Sequence, residues 1–280
     1  MNTFLPGLYI VSTPIGNLDD ITLRSLEVLK KSDIILCEDT RRSLKLLNYY
    51  KIKKKLVSYH KFNEKKELGK VIKYLKEGKI LSLISDAGTP LLSDPGSLLV
   101  RECIKQKIDI FPIPGASSIT TAMSVSGYGD RFLFYGFLPK TENELNKELS
   151  NLKNIDFSIV FFIPAIKINF YIKNFKNYFN DRDILIAREL TKIHETFYRE
   201  KINTIQIFKK NLKGELTVVV SKKDNIEKNT VNLDLKKEAK TFLSKYSLKD
   251  VVELISKKEK ISKKEVYKIC LEIKKNEENS

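Results

Sequence analysis

The chain has 280 residues, which is longer than most single domains, so its length favours two domains and allows a sizeable core. Lysine and arginine outnumber the acidic residues 51 to 35, and the net charge of +16 suits a polyanionic partner, although solvated lysines alone would also produce it. Three scattered cysteines without a CxxC pair argue against a disulfide framework and against a metal site, and no signal peptide or membrane span is evident. We therefore expect a cytoplasmic protein that does not enter a membrane.

The first hundred or so residues alternate short apolar runs with helical patterns, which indicates parallel strands joined by crossover helices. Leu68, Val71, Ile72 and Leu75 recur at helical spacing and Gly78 follows as a stop, which predicts a crossover helix. The runs that we interpret as strands are GLYIVS, SDIILCED, GKILSLIS and DIFPIPG.

A second α/β series follows the segment GYGDRFLFYGFLPK. It contains a polar helix around 141–151, another helix near 166–179 and the strands FSIVFFI, DILIAREL and GELTVVVS, whose mixed spacing suggests that they are not all parallel. Residues 223–240 are polar and rich in Lys and Asn, which is typical of a linker.

The end of the chain is predicted to form a small helical bundle. Ser247 with Asp250 and Ser262 with Glu265 have the spacing of capping boxes. An apolar stripe follows each box, formed by Leu248, Val251, Val252 and Ile255 and then by Val266, Ile269, Cys270 and Ile273. Residues 236–275 hold thirteen lysines and six acidic residues, so they suit contacts with phosphates, although ordinary solvated helix faces would look the same.

We therefore predict an N-terminal α/β domain at 1–118, a second α/β domain at 119–223 and a basic helical domain at 236–280. In an open α/β sheet, ligands bind beyond the carboxyl ends of the strands, and unusual loops follow four of the predicted strands. TPIGNLDDIT is neither a GxGxxG nor a Walker motif, which disfavours a nucleotide phosphate cradle. In EDTRRS, Asp39 or Thr40 could simply cap the next helix.

The third loop, DAGTPLLSDPG, is the most constrained. Gly88 and Gly96 remove side chains while Pro90 and Pro95 stiffen the backbone, so we expect a rigid wall that grips a polar small molecule. A long turn without a ligand is the alternative. In the fourth loop, FPIPGASSIT, the two serines at 117 and 118 could cap a helix or hold a ligand carboxylate.

Taken in order, TPIGNLDDIT, EDTRRS, SDAGTPLLSDPG, PGAS and ARELTK…ET closely resemble the ribosomal RNA small subunit methyltransferase I family of the tetrapyrrole methylase superfamily. The resemblance covers about residues 6–221 and extends more weakly to the C-terminal helices. It implies two α/β domains with S-adenosylmethionine in the cleft between them, and a homodimer. It also implies methyl transfer to the 2′-hydroxyl of a cytidine in the decoding region of the small-subunit (16S) ribosomal RNA.

Carried over to this chain, the resemblance assigns cofactor contacts to Thr13, Pro14, Ile15, Ala87, Gly88, Thr89, Leu92, Ser117, Ser118, Ile163 and Leu190. A ribose hydroxyl is a poor nucleophile, so a nearby base is useful, and the acidic candidates at strand ends are Glu38, Asp86 and Glu189. Candidate contacts to RNA are Arg41, Arg42, Asn63, Arg188, Lys192, Lys263 and Lys264. Each candidate acid could instead be a helix cap or an ion-pair partner, and Asn63 could cap the helix that starts near Glu64.

One segment departs from the family pattern. Members usually carry an aromatic residue and then Glu, Ser, Pro, His and Arg, whereas this chain has FFIPAIK at 161–167, so Ile163, Ile166 and Lys167 replace the Glu, His and Arg. The departure keeps open a non-catalytic RNA-binding assembly factor. Methylation of a tetrapyrrole or of a protein side chain by the same fold is a further alternative, which the basic C-terminal helices disfavour.

Overall fold

The computed structural model describes residues 4–210, 212–223, 235, 237–259 and 262–278. The chain divides into two compact units, Met1–Lys223 and Asp224–Ser280. The first unit contains two five-stranded sheets. Within the described ranges, no helix combines the length and the apolar character that a membrane crossing requires.

The first sheet is built from β1 (Gly7–Val11), β2 (Ile34–Cys37), β3 (Lys55–Ser58), β4 (Ile80–Ile84) and β5 (Ile110–Ile113). Its strands are all parallel and lie in the order β3-β2-β4-β1-β5. The crossover helices are α1 (Leu23–Lys31), α2 (Thr40–Tyr49), α3 (Glu64–Lys76) and α4 (Ser97–Lys105). The four strands predicted here and the predicted crossover helix are confirmed, and β3 is an additional edge strand.

Alternating strand residues bury both faces of this sheet. Leu8 and Leu83 pack with α3 and α4 on one face, whereas Tyr9 and Ile35 pack with α1 and α2 on the other. Burial on both faces explains why these strands read as apolar runs rather than as alternating patterns. The loops after β4, β1 and β5 follow three adjacent parallel strands, so they meet at the carboxyl ends of those strands.

The second sheet begins after α5 (Ser118–Ser124) and contains β6 (Phe132–Phe137), β7 (Ser158–Pro164), β8 (Asp183–Arg188), β9 (Thr196–Lys201) and β10 (Glu215–Val220). Its order is β6-β7-β10-β8-β9, and only β6 and β7 are parallel, so the expectation of a mixed sheet is confirmed. One face packs on α6 (Glu142–Leu152) and α7 (Ile168–Tyr178), while Ile119 and Ala122 of α5 cover the other. Because α5 continues from the loop after β5, this contact joins the two sheets.

The second unit contains the helices Leu248–Glu259 and Lys263–Glu278, and residues 237–243 are also helical. Both predicted apolar stripes contribute to its core. One of the two bonds of the first capping box is present, since the Asp250 N–H donates to Ser247 Oγ at 3.3 Å. The side chain of Glu265 and most of the expected linker, residues 224–234, lie outside the described residues.

Candidate functional site

A cavity of about 390 Å³ lies beyond the carboxyl ends of β4, β1 and β5, between their loops and the second sheet. It is lined by nine of the eleven residues that the family resemblance assigned to the cofactor, namely Ile15, Ala87, Gly88, Thr89, Leu92, Ser117, Ser118, Ile163 and Leu190. The other two, Thr13 and Pro14, line a neighbouring cavity of about 350 Å³. We call these the first and the second cavity.

Backbone and hydroxyl hydrogen bonds fix the loops that form the first cavity. Thr13 and Gly88 exchange two backbone bonds of 2.9 and 3.0 Å. The Thr13 hydroxyl donates to the Ser85 carbonyl at 3.2 Å, and the Thr89 hydroxyl donates to the Ala116 carbonyl, also at 3.2 Å. The loops after β1, β4 and β5 therefore form one connected frame, as expected of a rigid wall.

The second half of the loop after β4 is held in a strained conformation. Leu91 and Ser93 have φ values of 74° and 71°, which L-residues rarely adopt. Gly96 has φ 121°, and a Cβ there would lie 2.6 Å from Leu83 Cδ2. The Gly96 N–H donates to the buried Glu64 carboxylate at 3.0 Å, so α3 anchors the end of this loop. Strain of this kind persists where the surroundings enforce it, and it is concentrated at functional sites.

This strained loop places Asp94 in the wall of the first cavity. Burial, together with the nearby negative charge of Glu38, raises the pKa of Asp94 to about 6, although a hydrogen bond with Ser85 opposes the shift. Sequence reasoning missed Asp94, because an Asp before Pro and Gly looks like an ordinary turn residue. The available signal was the density of backbone constraint around it.

Neither of the predicted acids Glu38 and Asp86 lines the first cavity. Asp86 lines the second cavity, where its carboxylate accepts the Asp39 N–H at 3.2 Å and pairs with Arg42 at 3.2 Å. Glu38 lines neither cavity, and burial followed by repulsion from Asp86 raises its pKa. Asp86 therefore has the ion-pair role that the sequence left open as the alternative.

Glu189, the third predicted acid, is an ion-pair partner. Its Oε1 accepts the Lys192 ammonium and the Glu215 N–H, each at 3.0 Å. Burial acts to raise the pKa of Glu189, but these two bonds outweigh it and the pKa is lowered. A carboxylate held this way is a weak proton acceptor. Leu190, the next residue, lines the first cavity.

Among the predicted RNA contacts, Arg42 and Lys192 both line the second cavity. Arg41 pairs with Asp39 at 2.7 Å and is well exposed. The Asp39 side chain also accepts the Arg41 N–H at 2.9 Å, so the helix-capping interpretation of Asp39 is confirmed. Arg188 donates from Nε to the Lys213 carbonyl at 2.9 Å.

The remaining predicted RNA contacts are more scattered. Asn63 precedes α3 without capping it, because its side chain accepts the His60 N–H at 2.8 Å and donates to the Ser58 carbonyl at 2.9 Å. Asn63 thus closes the turn after β3. Lys263 and Lys264 are exposed on the last helix, in the separate C-terminal unit.

The departing segment FFIPAIK ends β7 at the rim of the first cavity. Ile163 is buried and lines the cavity, as assigned, and Ala165–Lys167 form a single 3-10 turn. Ile166 is 71% exposed in that turn. The residues that replace the usual Glu and His thus give this edge an apolar character. Within the described ranges, no group of His, Cys, Asp and Glu is arranged to hold a metal ion.

Residues 7–206 match the family described as Tetrapyrrole (Corrin/Porphyrin) Methylases. Two relatives are both named ribosomal RNA small subunit methyltransferase I. The protein from Thermotoga maritima is 46% identical over 78% of this chain and 99% of its own length. The protein from Rickettsia prowazekii is 45% identical over 94% of this chain and 95% of its own length. The chain belongs to the ribosomal RNA small subunit methyltransferase I family.

Solved structures support the tetrapyrrole methylase fold. A diphthine synthase has a TM-score of 0.59 at 17% identity and covers 76% of this chain and 89% of its own. The uroporphyrin-III C-methyltransferase from Thermus thermophilus, complexed with S-adenyl homocysteine, has a TM-score of 0.52 at 13% identity and covers 76% and 96%. The predicted fold class is therefore confirmed.

Proposed function

We propose that the chain transfers a methyl group from S-adenosylmethionine to the 2′-hydroxyl of a cytidine in the decoding region of small-subunit ribosomal RNA. The observation that carries the proposal is the first cavity. It gathers nine residues assigned to the cofactor from five separate stretches of sequence, in a member of this methyltransferase family. A volume of about 390 Å³ is within the range of small-molecule sites.

The residues of the first cavity fit the methyl donor. Ile15, Leu92 and Ile163 supply apolar walls, while the hydroxyls of Ser117 and Ser118 and the backbone beside Gly88 supply polar contacts. A Cβ on Gly88 would lie 3.2 Å from Ile15 Cγ2, so the glycine keeps the space between the loops after β1 and β4 open. When bound, the donor supplies an electrophilic sulfonium methyl group for in-line displacement by an acceptor oxygen.

We assign the proton acceptor to Asp94. Only two carboxylates line the first cavity among the described residues, Asp94 and Glu215. Glu215 is exposed and pairs with Lys192 at 3.0 Å. Asp94 is more buried, and its pKa of about 6 leaves it ionised but basic at neutral pH. It would hold the ribose hydroxyl by its proton and take that proton as the oxygen acquires the methyl group.

The RNA partner, the homodimer and the cytoplasmic location remain predictions that accompany this activity. Small-subunit ribosomal RNA is named as the target of the relatives, and the net charge of +16 supports binding of a polyanion. Light scattering of the purified protein tests the dimer, which we expect at about twice the monomer mass.

The deciding experiment is transfer of a tritiated methyl group to small ribosomal subunits purified from a strain that lacks the enzyme, followed by mapping of the methylated ribose. We expect label on one cytidine 2′-oxygen. A parallel reaction offers a porphyrinogen as the acceptor, and label there instead of on the subunits would favour the tetrapyrrole alternative. The assembly-factor alternative, which the altered segment FFIPAIK motivates, predicts RNA binding without calorimetric binding of S-adenosylmethionine.

A further inference from the structure

The second cavity has a wall formed by one face of α2. Arg42, Lys45, Leu46 and Tyr49 follow the i, i+3, i+4, i+7 spacing of a helical face, and all four line this cavity. Helices usually turn such a face into the core. Here Lys45 and Tyr49 are instead exposed, so α2 presents cationic and aromatic groups to an open cavity.

The Tyr49 ring is held in place from behind. It packs edge-to-face on Tyr50, with the ring centroids 4.9 Å apart. The Tyr50 hydroxyl donates to the Leu18 carbonyl at 2.5 Å, and Leu18 itself lines the cavity. Tyr49 is therefore 58% exposed on a fixed support, which is the arrangement of a stacking platform for a planar group.

The charges of the cavity leave Lys45 available. Arg42 pairs with Asp86, and Lys192 pairs with Glu189 and Glu215. Lys45 forms no ion pair with any of the described residues, although it lies on the same face of α2 as Arg42. An anionic group that enters the cavity would pair with Lys45, and it would compete with Asp86 for the exposed Arg42 guanidinium.

The two cavities are neighbours. Ile15, Ala87 and Glu215 line both of them, so an RNA strand bound in the first cavity can continue into the second. Single-stranded RNA offers the two chemistries that the second cavity would recognise, a phosphate next to a planar base.

We propose that the second cavity binds the nucleotide next to the methylated one, with Lys45 and Arg42 at its phosphate and Tyr49 stacked on its base. This inference rests on the proposed function, because it takes the RNA strand to be the substrate of the first cavity. It gives the protein a second site that recognises the RNA strand. Neither Lys45 nor Tyr49 was among the residues that the sequence indicated.

The test measures binding of a short, labelled single-stranded oligoribonucleotide by fluorescence anisotropy, with S-adenosylhomocysteine present, over a series of salt concentrations. We expect Tyr49→Ala to weaken binding about tenfold and Tyr49→Phe to bind nearly as tightly as the wild type, because stacking needs the ring. Lys45→Ala should weaken binding several-fold and reduce the salt slope by about 1, while Lys45→Arg keeps both.

Lys105→Ala is the matched control, because Lys105 is an exposed helical lysine that lines neither cavity. Its affinity and salt slope should match those of the wild type. Calorimetry with S-adenosylhomocysteine should give the same affinity for all variants, and a donor affinity that falls in Lys45→Ala and Tyr49→Ala would assign the second cavity to the donor and overturn the inference.

Other outcomes separate this inference from the proposed function. Active methyl transfer with unchanged RNA affinity in both alanine variants overturns the inference alone. RNA binding that depends on Lys45 and Tyr49 in a protein without methyl transfer supports the second cavity as a nucleotide site and removes the proposed activity. Binding of an acidic peptide as tight as that of RNA, and lost in the same variants, would overturn the assignment of the cavity to a nucleotide.

Discussion

The Thr13 N–H donates to the Gly88 carbonyl at 2.9 Å, and the Gly88 N–H donates to the Thr13 carbonyl at 3.0 Å. This pair joins the loops that follow two adjacent parallel strands, β1 and β4. Gly88 adopts φ 79° in this position, with its α-carbon facing Ile15 across the cavity wall. Both the backbone angle and the lack of a side chain therefore belong to the architecture of the first cavity.

We predict that Gly88→Ala strongly weakens binding of S-adenosylmethionine. The new methyl group would lie 3.2 Å from Ile15 Cγ2 and would narrow the cavity. It would also destabilise the fold by about 1–2 kcal/mol, because an L-residue in the left-handed region is strained. Calorimetric titration gives the affinity, and urea denaturation gives the free energy of unfolding.

Gly127→Ala separates clearance from backbone strain. Gly127 has φ 74°, close to that of Gly88, and a Cβ there meets no atom of the described residues within 4 Å. The control variant should lose similar stability and keep its donor affinity. If both variants bind the donor as the wild type does, Gly88 has no role in clearance and the cavity assignment is wrong.

The parts of the fold that sequence predicts well are those whose burial pattern is regular. The apolar residues of α3 recur at helical spacing, which fits a helix with one buried face. The central strands β1, β2 and β4 are buried on both faces and therefore read as apolar runs. The missed strands β3, β6 and β9 lie at sheet edges, where half of the backbone groups need no partner and exposed polar residues such as Lys55 and Lys201 are tolerated.

The candidate site was predictable where a loop follows a strand, because the topology alone brings those loops together at the carboxyl ends of the strands. The role of Asp94 was not predictable in this way, since its raised pKa depends on burial by residues distant in sequence. The same limit explains Asp86 and Glu189, which are acids at strand ends like any catalytic base. Only their distances to Arg42 and Lys192 show that they are paired.

The assignment of Asp94 predicts a specific pH dependence of methyl transfer. A base with a pKa of about 6 is protonated in acid, so the single-turnover rate should fall as pH drops through that value. Asp94→Asn should lower the rate by about 100-fold or more and abolish this acid limb. Rates measured with a tritiated donor on either side of pH 6 give the profile.

Calorimetry accompanies that experiment, because the Asp94→Asn variant should bind S-adenosylmethionine with nearly unchanged affinity. Matched Glu38→Gln and Glu189→Gln variants test the acids that the sequence favoured. Should either of these lose the acid limb while Asp94→Asn retains it, the proton acceptor is that acid and not Asp94.

Asp94 also predicts a pH dependence of stability. Its pKa is higher in the folded chain than the ordinary value of 3.8, so folding favours the protonated form. That contribution is fully present below the unfolded pKa and is lost as pH rises through about 6. Asp94→Asn should therefore be more stable than the wild type at neutral pH, by on the order of 1–2 kcal/mol because solvent screens this partly exposed group, and lose this advantage in acid. Urea titrations at several pH values measure the difference, and a variant less stable than the wild type at neutral pH would contradict the shift.

The basic C-terminal helices are predicted to contribute to RNA binding through phosphates. Lys263 is exposed and lies 3.8 Å from Glu253, a separation at which an ion pair is weak and a phosphate can compete. The double variant Lys263→Ala/Lys264→Ala should weaken binding of small-subunit RNA and reduce its salt slope by about 2, because each phosphate contact contributes about 1. Removal of residues from about 235 onward should flatten the slope further.

The control is Lys73→Ala/Lys76→Ala, at exposed positions near the end of α3. It removes the same charge from another surface and should leave the slope near that of the wild type. Equal slopes for the wild type and the C-terminal variants would mean that these lysines are only solvated.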